Sequence, residues 1–281
     1  MIPTGVLATL YGLASALSWG IGDFNGGIAT RRASVYSIVF VGQVAGVILL
    51  LILAVVLREA VPSVRVLLLS GVMGFVGLVG ILALYRGLAV GRMGIVAPLS
   101  ALVGGVLPIL VSIIQEGLPS ALTLVGFALA LVAVWLISGT GNIDRITRDE
   151  LLYPLVAGVA LSIFFIFIDA VSETAVLYPL VAARGTSLLA LTVMVFAIRR
   201  ESLPPASTLP FAVASGLFDA GGNVFFALAT RVGRLDITTV LSSLYPAATV
   251  ILAWLILRES LSRRQLTGVL VALAAIVMIA I

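Results

Sequence analysis

The stretch GRMGIVAPLSAL at residues 91–102 returns as GRLDITTVLSSL at residues 233–244, with six of twelve positions identical at a constant offset of 142. The same offset sets Gly74 on Gly216, Gly80 on Gly222 and Gly126 on Gly268, while an offset of 143 sets Glu116-Gly117-Leu118 on Glu259-Ser260-Leu261. A register kept over this distance marks an internal duplication. Its units are residues 1–138 and residues 151–281, joined at residues 139–150 by a polar connection holding Asn142, Asp144, Arg145, Arg148 and Asp149.

Around the repeat the chain is nearly all apolar. Of 281 residues, 62% are hydrophobic and 10% charged, against about a quarter charged in an ordinary soluble domain. So few polar residues cannot cover a water-facing surface, and the hydrophobic faces must meet lipid. The chain divides into ten apolar runs at residues 5–27, 35–57, 65–88, 95–115, 120–138, 151–174, 177–198, 208–230, 237–257 and 264–281. Each is close to the ~20 residues a helix needs to cross a bilayer. The runs are continuous rather than alternating, which favours helices over barrel strands. The fold class expected is all-α, a polytopic membrane protein with ten transmembrane helices arranged as two inverted five-helix repeats. Inversion follows because five is odd, so the two halves enter the membrane from opposite sides. The first run has no basic n-region and is too long for a signal-peptide core, so it is expected to remain in a multi-pass protein of the cell (inner) membrane.

Several kinds of chemistry are excluded by composition. Histidine and cysteine are absent and every one of the 16 basic residues is arginine, which removes thiolate nucleophiles, Ser-His-Asp triads, Cys/His metal sites and Schiff-base lysines. No cofactor, no metal and no catalytic residue is expected. The net charge of +4 comes from arginines in short joints, which reads as topology signalling and not as a nucleic-acid surface. Eleven arginines follow odd-numbered runs (Arg31, Arg32, Arg86, Arg92, Arg145, Arg148, Arg199, Arg200, Arg258, Arg263, Arg264), and four follow even-numbered ones (Arg58, Arg65, Arg231, Arg234). By the positive-inside rule this places both termini outside.

Four stretches carry a family resemblance: Ala16-Leu17-Ser18-Trp19-Gly20; Leu82-Ala83-Leu84-Tyr85 running on to Gly91-Arg92; Leu241-Ser242-Ser243-Leu244-Tyr245-Pro246; and Glu259-Ser260-Leu261 before Gly268. With their spacing through both halves, the chain resembles the EamA-type transporters of the drug/metabolite transporter (DMT) superfamily. The resemblance implies a ten-span exporter of amino acids, other metabolites or cationic drugs. It also implies cytoplasmic termini, opposite to the arginine count.

Ionisable groups inside apolar runs are costly, so each is a candidate for function or for a structural partner. Asp169 and Arg184 fall at similar depth below one membrane face and are expected to form an ion pair, the other reading being that Arg184 binds a substrate carboxylate. Asp219 lies mid-run with no opposite charge at its depth, and Asn223 follows it on the same helix face. Asp23 follows Trp19 by one turn, which sets a carboxylate beside an aromatic surface. Asp219 and Asp23 are therefore candidates for binding a cation or for proton coupling, unless burial merely keeps the carboxyls neutral. Gln43, Tyr85 and Tyr245 are further candidate contacts for the solute, with Tyr36 weighed as a contact or an interface anchor. Pro108 and Pro246 lie inside runs and predict bends, and the glycines at 71, 74, 77 and 80 predict close helix packing. Gly20-Ile21-Gly22-Asp23 matches the GxGD of intramembrane aspartyl proteases, but the Tyr-Asp and Pro-Ala-Leu elements that accompany it are missing. A passive channel would need a filter sequence or charge ring, and neither is present. The reading is a monomeric alternating-access carrier of a small amine-bearing solute, with partners limited to that solute, the lipid bilayer and protons.

Overall fold

A computed structural model describes residues 3–91, 93–138, 147–257 and 262–280. Arg92, residues 139–146 of the central connection and the Glu259-Ser260-Leu261 motif with Arg258 lie outside the described residues. The described residues form α1 (Thr4–Thr30), α2 (Val35–Val56), α3 (Val64–Val90), α4 (Met93–Glu116), α5 (Ala121–Ser138), α6 (Arg148–Ser172), α7 (Leu177–Thr192, continuing as a π-helical turn over Val193–Ile198), α8 (Leu209–Val232), α9 (Leu235–Ser242), α10 (Tyr245–Leu257) and α11 (Arg263–Ala280). Helices thus occupy all ten predicted runs, and seven are long and apolar enough to cross a bilayer individually. The ninth run differs from expectation. Pro246 does more than bend it: the helix stops after Ser242 and restarts at Tyr245, because a proline cannot donate the amide that would continue the ladder.

Local sequence sets the helix ends. Ser63 caps α3 by accepting from the Val66 amide at 3.5 Å. The second half opens on a capping box, in which the Thr147 amide donates to Glu150 Oε2 (2.9 Å) and the Glu150 amide donates to Thr147 Oγ1 (3.3 Å). The duplicated glycines Gly91 and Gly233 end α3 and α8, each donating its amide to the carbonyl four residues back.

The distribution of side chains is that of a protein in lipid. Helix α3 exposes Leu68, Val72, Phe75 and Val79 while burying Ser70, Gly74 and Gly80. Lipid chains are as apolar as leucine, so the helices associate by backbone approach over small residues. A Cβ on Gly74 would fall on the Ala183 carbonyl of α7, and a Cβ on Gly216 would fall on the Gly42 carbonyl of α2.

The duplication is visible in these contacts. Gly80 packs on Leu161 and its equivalent Gly222 packs on Trp19, the residue 142 before Leu161. A Cβ at Gly126 would lie 2.7 Å from Ile279, and one at Gly268 would lie 2.7 Å from Ile137, again 142 before. Helices α1 and α8 run antiparallel, since Ser15 bonds to the Gly222 carbonyl and Ser18 to the Phe218 carbonyl. Helices α3 and α6 repeat that arrangement, with Gly77 on Phe164, Gly80 on Leu161 and Gly87 on Tyr153. Because α1 and α3 are separated by one returning helix, they run the same way. Helix α3 therefore opposes its own equivalent, α8, and the halves are inverted.

Candidate functional site

The crossing helices leave a cavity of about 80 Å³ between the halves, room for several waters at about 10–15 Å³ each. Helix α1 contributes Trp19 and Asp23, α2 Gln43, α8 Asp219 and Asn223, and α10 Tyr245. Arg184 enters from α7. Tyr85 of α3 borders an adjoining small chamber with Ser215, Gln43, Arg184 and Asp219. The structure therefore places six of the seven residues singled out as solute contacts around one cavity and the seventh, Tyr85, on the chamber beside it.

The charges are arranged differently from the expectation. Arg184 does not pair with Asp169. Its Nη2 forms the ion pair with Asp219 Oδ2, and its Nη1 donates to Gln43 Oε1 at 3.0 Å. Asp219 is thus not without an opposite charge. The reason is azimuthal. Similar depth put Asp169 and Arg184 level, but α7 packs mainly on α3 and α2, which turns Arg184 away from α6 and toward α8. Asp169 instead lies among Glu116, Glu173 and the hydroxyl of Thr230. The Arg184 side chain is 6% exposed and that of Asp219 28%, so the guanidinium is held behind while the carboxylate reaches the cavity. Gly46 makes this possible, since a Cβ there would stand 2.7 Å from Nη1.

Asp23 faces Asp219 and the Tyr85 hydroxyl. The Tyr85 hydroxyl also bonds to Ser215 Oγ at 3.0 Å; with only one proton, it accepts from Ser215 when it donates to Asp23. Gly26 provides its space, as a Cβ there would lie 2.6 Å from the hydroxyl oxygen. Of these two carboxylates, Asp219 alone pairs with the guanidinium. Asp23 has no cationic partner among the described residues.

Beside this charge stands an aromatic group. Trp19 stacks on Phe165 (centroids 5.2 Å apart), Phe165 on Phe226 (4.8 Å), and Trp19 meets Phe226 at 5.6 Å. Gly222 lets α8 close against the indole. Asn223 lines the cavity.

The two glycines of the GxGD stretch have packing roles. Gly20 abuts the Tyr245 carbonyl and Ala248, and Gly22 abuts the backbone of Ser215 and Asp219. These approaches bring α1 against α10 and α8, and so set Asp23 at the cavity.

Sequence reasoning missed Ser215, Phe164 and Phe165. Ser215 precedes Asp219 by four residues and so shares its helix face. Phe165 stands 142 residues after Asp23, so applying the repeat offset to the candidate acid would have found it.

Comparison with known proteins agrees with this geometry. An uncharacterized transporter from Archaeoglobus fulgidus is 25% identical over 284 residues, spanning 98% of each chain. A solved structure described only as a crystal structure of a protein superposes with a TM-score of 0.80 over 96% of this chain and 97% of its own, at 14% identity, a likeness of fold. The model of the EamA-like transporter family matches residues 6–139 and again residues 150–281. With both inverted halves matched and a polar cavity between them, the chain belongs to the EamA-like transporter family as a multi-pass membrane transporter, not to the proteases that GxGD brings to mind.

Proposed function

We propose that this transporter exports small amine-bearing organic metabolites, amino acids foremost, by alternating access, working as a monomer with the solute bound between its two five-helix halves. The observation that carries this reading is the unequal charge count at the cavity, where Asp219 pairs with Arg184 and Asp23, beside the Tyr85 hydroxyl, has no cationic partner among the described residues. The Arg184–Asp219 pair largely neutralises itself and leaves Asp23 to receive a cation. A buried carboxylate with no cation beside it is costly, so an ammonium group or a proton is held there. Trp19, one turn away, offers a π face to the same ammonium. Asn223 and Gln43 supply hydrogen-bonding amides around it, and Tyr245 closes the cavity from the broken ninth run. Because proton and ammonium compete for one carboxylate, entry of one displaces the other, which couples solute movement to a proton gradient.

The test is counterflow in liposomes containing the purified protein, comparing an amino acid panel with the corresponding deaminated acids. Exchange is expected for amine-bearing members and absent for their deaminated counterparts, and an imposed pH gradient is expected to drive net movement. Equal exchange of both classes would end this reading. The same single acid favours a second reading, a proton-coupled efflux carrier of cationic drugs. Exchange of bulky cations with no amino acid exchange would select it.

A further inference from the structure

The offset of 142 also relates Arg58-Glu59, after α2, to Arg200-Glu201, after α7. Both arginines take the left-handed conformation, φ 52° for Arg58 and φ 51° for Arg200, a backbone that non-glycine residues adopt at a cost. In each case the turn sends the following glutamate toward the other half.

Glu59 caps the start of α7. Its Oε1 accepts from the amides of Val176 (2.8 Å) and Leu177 (3.0 Å), and its Oε2 from those of Leu177 (2.9 Å) and Tyr178 (2.8 Å). These are orphan donors of a helix N-terminus, where the peptide dipoles also favour an anion. Subtracting 142 from residues 176–178 gives Ser34, Val35 and Tyr36, the start of α2. Glu201 is found there, but bonded differently. It meets the Ser34 side chain and takes Arg199 Nε at 2.6 Å. Among the described residues it accepts no backbone amide, and its Oε2 is buried without a partner. Arg199 meanwhile lies over the Tyr36 ring at 4.1 Å. The two glutamates are separated by the full length of α2 or α7, 22 residues each, so they sit at opposite membrane faces.

We propose that Glu59 and Glu201 are a pair of latches, one at each face, that close alternately over the first turn of the other half's second helix, with the Glu59 latch engaged and the Glu201 latch released in this structure. The connection to the cavity is direct. Helices α2 and α7 carry Gln43 and Arg184, which bond to each other at 3.0 Å, so freeing the start of either helix moves one member of the polar cluster. Release at one face and capture at the other is an exchange of equivalent bonds, which keeps the two states close in free energy.

This inference rests on the alternating-access reading, but its test needs no solute, so a failed latch and a failed solute assignment are distinguishable. The chain has no cysteine. A single reporter, Leu161→Cys in the cavity wall, is labelled with a membrane-impermeant maleimide from each side of sealed, oriented vesicles. Adding Glu59→Ala is expected to raise labelling from the face that carries residue 59, relative to the other face, by at least about tenfold, since one charge-assisted hydrogen bond is worth that much and the variant loses all four that Glu59 accepts. Adding Glu201→Ala is expected to leave that ratio unchanged or move it the opposite way. If Glu59→Ala does not fold, a Glu59→Asp variant, too short to span the same gap, is measured instead. Equal ratios in the parent and the Glu59 variant, or a shift of the same sign in both glutamate variants, would overturn the proposal.

Discussion

Opposite walls of the cavity are made of equivalent residues. Trp19, Asp23, Asp219 and Asn223 form one wall, from α1 and α8, and the residues 142 positions away, Leu161, Phe165, Gly77 and Ile81, form the other, from α6 and α3. The duplication axis therefore passes through the cavity. Backbone positions were copied and chemistry was not: one wall carries both carboxylates, the other has only apolar surface. Two identical walls would bind a symmetric ligand or two half-ligands. For the amine-bearing solute proposed above, unequal walls would set the charged end toward α1 and α8 and the apolar end toward α3 and α6.

The strongest way to break this contrast is to remove the guanidinium that balances the polar wall. Arg184→Met leaves two uncompensated carboxylates and is expected to cost about 3 kcal/mol of stability, near the low end for a broken buried pair because Asp219 reaches the cavity. Thermal unfolding in detergent measures it. The double variant Arg184→Met/Asp219→Leu is expected to regain most of the loss, and a double variant as unstable as the single one would refute the pairing as the cause.

A smaller effect is expected from Asp23→Asn, which keeps the shape of the wall and takes away its unpaired charge. Half-saturation for an amine-bearing solute should rise about thirtyfold, in line with about 2 kcal/mol for a charge-assisted hydrogen bond, with little change in melting temperature. If affinity is retained, the charge lies elsewhere. The smallest effect belongs to the apolar wall. Phe165→Leu loses the stacking on Trp19 and Phe226 and should weaken binding of solutes with apolar side chains by about fivefold, or about 1 kcal/mol, leaving glycine-sized solutes unaffected. An equal loss for both solute types would mean that the walls do not sort the two ends.

Position along each helix was legible in the sequence, but rotation about its axis was not. Apolar runs of bilayer length placed the helices, because the cost of an unbonded backbone in lipid leaves no alternative. The cost of intramembrane polar groups likewise pointed to Trp19, Asp23, Gln43, Asp219, Asn223 and Tyr245, which meet around one cavity, and to Tyr85 on the chamber beside it. Arg184 shows where this reasoning stops. Depth can be counted in residues, but the choice between Asp169 and Asp219 depends on which neighbours α7 packs against, and that is decided by backbone contacts such as Gly74 on Ala183. Pro246 shows a second limit. A proline announces a disturbed helix, yet Pro108 lies within the continuous helix α4 while Pro246 follows an interruption at Ser243 and Leu244, and the residue type alone does not tell the two apart.

The backbone contacts at Gly74 and Gly216 also have a mechanical consequence. They fix α3 to α7 and α8 to α2, each across the sequence halves, and α3 to α6 and α8 to α1 are fixed in the same way. The helices packed most closely are thus not grouped as the two copies of the repeat, and two bodies can be drawn instead. One consists of α1 and α2 with α8, the other of α6 and α7 with α3, and each copy has lent its third helix to its neighbour. Any rocking of one body against the other must be absorbed by the chain segments that cross between them, residues 57–63 and 199–208. Under the alternating access proposed above, the duplication would act as two levers joined by two flexures, with their load applied at the ends of α2 and α7.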